Sequence, residues 1–134
     1  MKTLKIFVLT LVPALMSGAA LAEWVQYDYE ATFVAYADLS TIRKKGNMAT
    51  MWVMITYTEP RVTAGTSHQS VKFHEEYDCA EGRSRPVATV AYSLAHGEGG
   101  VVFSDTEPSA WSPVVPGTRS ELVWRIACGK AKLI

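Results

Sequence analysis

The chain has 134 residues, 49% of them hydrophobic and 19% charged, with 13 basic and 13 acidic side chains that cancel. That length makes one domain with a modest core, and the charge balance excludes the basic face that nucleic-acid binding requires. The two cysteines, Cys79 and Cys128, stand too far apart for a CxxC redox pair.

Residues 1–22 read as a signal peptide. Lys2 and Lys5 give a positive start, Ile6 to Met16 is an apolar run, and Ala20-Leu21-Ala22 supplies the small-x-small pattern of signal-peptidase cleavage. Cleavage is expected before Glu23, leaving a domain over residues 23–134 with 11 basic side chains, once Lys2 and Lys5 are gone, against 13 acidic. The competing reading, an uncleaved anchor, needs about 20 apolar residues, which this run does not reach. After cleavage no transmembrane segment is expected. No cysteine follows the small residues, so lipid attachment is not expected, and the address is the periplasm or the cell surface and exterior.

Glu23 to Tyr36 opens the domain as a strand. Tyr27 and Tyr29 alternate with Asp28 and Glu30, and a break is expected near Glu30. Asp38 is placed to cap a single helical turn ending at Ile42, accepting from amides two or three residues on. Arg43-Lys44-Lys45-Gly46-Asn47 is then a basic turn.

Met48 to Thr58 is the most apolar strand. Ala49, Met51, Val53, Ile55 and Tyr57 line one face; Met48, Thr50, Trp52, Met54, Thr56 and Thr58 line the other. A strand with no charge on either face is covered on both sides, or one side meets a partner. Cover for Met48, Trp52 and Met54 is expected from the later segment around Trp111, with self-association or a partner surface as the alternative. Glu59 to Thr66 reads as a loop, punctuated by Pro60 and Gly65.

Val71 to Cys79 alternates strictly. Val71, Phe73, Tyr77 and Cys79 share a core face on which Glu75 is the one polar interruption; Lys72, His74, Glu76 and Asp78 face water. Arg83 to Leu94 returns as the next strand, with Pro86 marking a strand start or a bulge. His96 to Gly100 is a loop tip leading into Val101-Val102-Phe103. From Ser104 to Gly117, Pro108, Pro113 and Pro116 predict an extended strap over the surface, outside the sheet.

Thr118-Arg119-Ser120-Glu121 reads as a capping box. The segment that follows, with Leu122, Val123, Trp124, Ile126, Ala127 and Cys128, is a helix so apolar that it must lie against the sheet. Glu121 and Arg125, four apart, form an expected ion pair. Gly129 stops the helix, and Lys130 and Lys132 suit the negative end of its dipole. In an exported chain the two cysteines read as one Cys79–Cys128 disulfide; two free buried thiols are the alternative. The expected fold class is α+β: a small antiparallel β-sheet, a meander of about five to six strands, with one C-terminal helix packed on it.

Catalytic motifs are weak. His74-Glu75-Glu76-Tyr77-Asp78 looks like HExxH, but Asp78 stands where the second His belongs and the run alternates like a strand. His74, Glu76 and Asp78 share a face, so a loose metal site is conceivable, although a solvated strand face explains them without one. Ser67-His68 and Ser104-Asp105 lack a nucleophile elbow, and Gly97-Glu98-Gly99-Gly100 lacks the Lys and helix of a phosphate cradle. No enzyme, cofactor or resident metal is expected. The candidate binding surface is Arg43, Lys44 and Lys45, which could touch an acidic partner or sulfated glycan, together with Met48, Trp52 and Met54.

Four patches resemble the surface-adhesin E-like family of exported proteobacterial domains. They are Tyr36-x-Asp38 with Ser40-Thr41-Ile42-Arg43 and Gly46; Met51-Trp52-Val53-Met54 running to Tyr57; Glu76-Tyr77-Asp78-Cys79 with Arg83 and Arg85; and Trp111-Ser112-Pro113-Val114 with Pro116-Gly117-Thr118 and Cys128. Their order and spacing, more than any one patch, carry the resemblance. It implies a small antiparallel sheet, one C-terminal helix and the Cys79–Cys128 bond. It further implies a non-catalytic, adhesin-like module that binds host matrix or plasma proteins. The alternative is a periplasmic accessory or structural protein with no host ligand. The expected partner is another protein, of the envelope or a host matrix, or a second copy of the chain.

Overall fold

The computed structural model describes residues 22–131. Strands β1 (Trp24–Glu30), β2 (Phe33–Lys45), β3 (Met48–Thr63), β4 (Thr66–Asp78), β5 (Arg83–Tyr92), β6 (Val101–Asp105) and β7 (Ser112–Pro113) precede one helix, α1 (Arg119–Ala127). The first six pair antiparallel in sequence order, and β7 pairs with β5. This is the expected α+β meander, with a short seventh strand. The signal-peptide reading of residues 1–22 falls almost wholly outside the described residues.

The alternation in β3 and β4 places the core as the sequence implies. Ala37, Ala49, Met51, Val53 and Tyr77 on one sheet face pack against Val123, Ile126, Ala127 and Cys128. Ala35, Ala37 and Ala49 are almost fully buried, and small side chains at these positions let the helix approach the sheet closely. A nine-residue helix is marginal by itself. Its C-terminal end is therefore held by several ties: the Cys79–Cys128 disulfide, Trp124 Nε1 donating to Asp78 O at 2.9 Å, and Lys44 Nζ donating to Cys128 O at 3.0 Å.

Five local expectations are corrected. Asp38 to Ile42 stays in β2 as a bulge: Asp38 pairs with Trp52, yet Arg43 pairs with Thr50. Asp38 Oδ1 does accept from the Ser40 amide at 3.1 Å, but also from the Glu23 amide and the Ser40 hydroxyl. Thr41 Oγ1 accepts from the Trp52 amide, which holds the bulge open without a helical turn. Glu59 to Thr66 is not a loop, because β3 and β4 continue as a hairpin closed at Ala64 and Gly65, both at positive φ. Pro60 is tolerated inside a bulge between Thr56 and Arg61, where its missing N–H leaves no ladder bond unmade.

The strap after β6 is stitched to the sheet. Ser112 and Pro113 pair with Ser84 and Arg83, and the Ser109 and Val114 amides donate to Pro86 O and Gly82 O. The capping box does not form: Thr118 Oγ1 donates to Val115 O at 2.6 Å, and no side chain caps the helix. Nor does Arg125 pair with Glu121; its Nη2 donates to Lys130 O. Gly129, at φ +73°, ends the helix as expected, with the Lys130 amide donating back to Arg125 O. Pro86 marks a bulge as anticipated, since His74 pairs with Ala88 but Glu75 with Pro86.

Candidate functional site

The two sheet faces differ in kind. On the face away from α1, register places Met48, Thr50, Trp52 and Met54 of β3 beside Asp78, Glu76, His74 and Lys72 of β4. Trp52 and His74 stack with ring centroids 4.9 Å apart and planes 9° apart. Partial burial lowers the His74 pKa against the opposing pull of Glu76, which favours the neutral ring in the stack. Arg83 pairs with Asp78 and Arg85 with Glu76, each at 3.0 Å. Both guanidiniums lie against Trp111, at 4.5 and 4.3 Å from its ring. Such half-exposed ion pairs add little stability, but they hold the arginines and the indole in fixed orientation.

This face is not simply solvated, as alternation in β4 had suggested. Asp78 is buried, its carboxylate accepting from the Glu81 and Ala80 amides and from Arg83. The Glu81 amide first, then Arg83 and the Ala80 amide, hold its pKa below the ordinary value, against desolvation. Lys72 lies between Trp24 and Tyr92, 5.4 and 5.1 Å from their ring centroids. His74, Glu76 and Asp78 share the face, but each is engaged elsewhere: a stack for the first, arginines for the other two.

The predicted surface residues separate. Met54 is buried, covered not by the Trp111 segment but by the 3-10 turn Ala95–Gly97. That turn docks through the His96 amide to Thr56 Oγ1 and the Gly97 amide to Ser70 Oγ. A Cβ on Gly97 would come within 2.6 Å of Lys72 Cε, the mobile end of that side chain, and the φ of +72° is what favours glycine in this turn. Lys44 points to the helix side, where it bonds Cys128 O. Arg43 and Lys45 are exposed, and register puts them on the same face as Met48 and Trp52. In the sequence Trp111 belongs to the proline-rich strap and Arg83 and Arg85 open a strand, all three within the family pattern and none marked as a site. The signal for them was Pro113, two residues past Trp111, on an edge that β5 leaves open.

On the helix side, an open groove of about 990 Å³ runs between the sheet and the first turn of α1. Val53, Ile55, Phe73, Leu122 and Val123 give it apolar walls, and Tyr27, Glu75 and Tyr77 reach into it. A bulge in β1 leaves Tyr27 unpaired between Gln26 and Asp28, so two successive side chains, Tyr27 and Asp28, line one groove. Burial pushes the Glu75 carboxyl up from 4.5 to about 7, and Tyr27 up from 10.0 to about 12. Tyr77 is pushed well above its ordinary value by burial, then by the charge of Glu75. Its buried hydroxyl has no hydrogen-bond partner among the described residues.

A six-stranded meander with a short seventh strand, closed by a disulfide-tethered helix, defines a small β-rich fold, and among the described residues no group of three or more His, Cys, Asp or Glu side chains could hold a metal ion. The model of the family Surface-adhesin protein E matches residues 24–129, and the chain belongs to that family. It is a surface adhesin-like protein, as the four sequence patches imply. Two solved structures show the same fold. Crystal form II of Haemophilus influenzae protein E is 15% identical, with a TM-score of 0.60 over 78% of this chain and 96% of that one. Protein E from non-typeable Haemophilus influenzae is 14% identical, with a TM-score of 0.57 over 80% and 84%. No curated protein sequence matches the chain. No helix among the described residues is long and apolar enough to cross a membrane.

Proposed function

We propose that this protein is exported, with residues 1–22 removed as a leader, and acts as a non-catalytic module that binds another protein through the sheet face away from α1. The observation that carries this reading is the pair of restrained aromatic groups on that face: the Trp52–His74 stack, and Trp111 with the Arg83 and Arg85 guanidiniums over its ring. Tryptophan and arginine dominate the energetic centres of protein interfaces, because each combines large apolar area with a directed polar end. Here their rotamers are already restrained, so little conformational entropy is lost on docking. Arg43, Lys45 and Met48 extend the same face; Lys44 and Met54 are left out of it, one bonded to the helix end and the other buried. Membership of a surface-adhesin family supports a protein as the partner.

The test is binding of the oxidised protein to immobilised extracellular-matrix proteins and to envelope extract. Trp52→Ala and Trp111→Ala are each expected to weaken binding by about 30-fold, as loss of an interface anchor does. Wild-type affinity in both variants would place the interface elsewhere. Protease treatment of intact cells separates the two addresses: it removes a surface protein and spares a periplasmic one.

A further inference from the structure

The groove beside α1 is a second site, independent of the sheet face. We propose that it binds a small organic ammonium ion with an apolar body, the charged end resting on Glu75 and the body lying along Val53, Phe73 and Leu122. Three observations converge. The first is an unmatched carboxyl. Among the described residues Glu75 has no hydrogen-bond or ion-pair partner, although it sits on the core face of β4 among Phe73, Tyr77 and Val53. A carboxyl partly withdrawn from water and given no counter-charge is costly, and a bound cation supplies what the fold does not.

The second is the Tyr77 hydroxyl, buried on a side chain that borders the groove and without a partner among the described residues. Buried hydroxyls are almost always bonded, so an orphan beside a cleft marks a polar partner that the fold itself does not supply. An ammonium group carries three donors, enough to serve Glu75 and the Tyr77 oxygen together. Tyr27 and Phe73 put aromatic rings in the same lining, the groups that attract organic cations.

The third is the charge of the lining. Asp28, Glu30 and Glu75 stand against a single cation, Arg119. Arg119 is already engaged, 3.8 Å from Asp28 and 4.5 Å over the Phe33 ring. The first turn of α1 forms part of the opposite wall and would by itself favour an anion. Three carboxyl side chains outweigh it. Binding of an ammonium ion also favours the ionised form of Glu75, whose proton then leaves to solvent.

Amide NMR titration of the oxidised protein at neutral pH, with three probes of one shape, decides the matter. The probes are phenethylammonium, hydrocinnamate and phenethyl alcohol. Phenethylammonium is expected to saturate shifts centred on Tyr27, Phe73, Glu75 and Leu122, with the anion and the alcohol at least about tenfold weaker. Glu75→Gln is expected to weaken the ammonium by about tenfold or more, and Tyr77→Phe by several-fold, with the dispersed spectrum of the fold retained. Equal binding of the carboxylate or the alcohol, unchanged affinity in Glu75→Gln, or no shift up to about 10 mM ammonium would each overturn the proposal.

Discussion

Replacing both cysteines by alanine lowers the stability of the domain by about 4 kcal/mol, the chain-entropy value for a loop of 49 residues. For a domain of this size that corresponds to a fall in Tm on the order of 20 °C. The effect is large because the bond closes a long loop in the unfolded chain and ties the end of a marginal helix to the sheet. The helix is short, its N-terminus is uncapped by any side chain, and its first turn borders an open groove. What remains without the disulfide is the apolar contact of Val123, Ile126 and Ala127 and the bonds from Trp124, Lys44 and Lys130 to neighbouring carbonyls. Urea unfolding of the double variant, beside the oxidised and reduced parent, measures the loss. A change below about 1 kcal/mol would mean that packing alone holds the helix, contrary to this account.

Glu75→Gln stabilises the protein at pH 8 by about 2 kcal/mol and leaves it nearly unchanged at pH 4. The sign follows from the raised carboxyl: 4.5 in the open chain, about 7 in the fold. Between these values the folded protein holds a proton that the unfolded chain releases, so stability falls as pH rises across that window. Above it the full cost of a desolvated carboxylate is present. Because Glu75 is only half-buried, the shift is discounted for water that screens it. Gln keeps the shape and loses the charge, so the slope between pH 4.5 and pH 7 flattens. Asp78 acts in the opposite sense and in a separate range. Its carboxyl lies below its ordinary 3.8, so its contribution is present at neutral pH and lost only as pH falls below that value. Denaturant midpoints at pH 4, 6 and 8 for parent and variant test the prediction, and parallel curves would refute it.

The sheet faces were legible because their period is two and the core side of β3 and β4 is apolar but for Glu75. Ala49, Met51 and Val53 could be sorted from Thr50, Trp52 and Met54 by position alone, and the structure sorts them the same way. The helix and the disulfide were legible for similar reasons, an apolar run with a glycine stop and a single pairing of two cysteines. The bulges were not. At Asp38 the local hydrogen bonds match a cap, but the Trp52 amide needs an acceptor and Thr41 supplies it from within the sheet. At Pro60 a breaker signal was read as a loop, although a long hairpin absorbs a proline wherever its ladder already skips. Glu75 stood out on its strand from the start. Its meaning needed Tyr27 and the first turn of α1, which lie far from it in the chain.

The same order of strands has a consequence for how the molecule is made. Each strand from β2 to β6 hydrogen-bonds to the one synthesised just before it, so a chain emerging from its amino end can zip itself up as it appears. Cys79 then waits, with its hairpin already formed, until the last stretch delivers Cys128. Oxidation is the closing act of assembly, and with one possible mate for each sulfur it needs no proofreading.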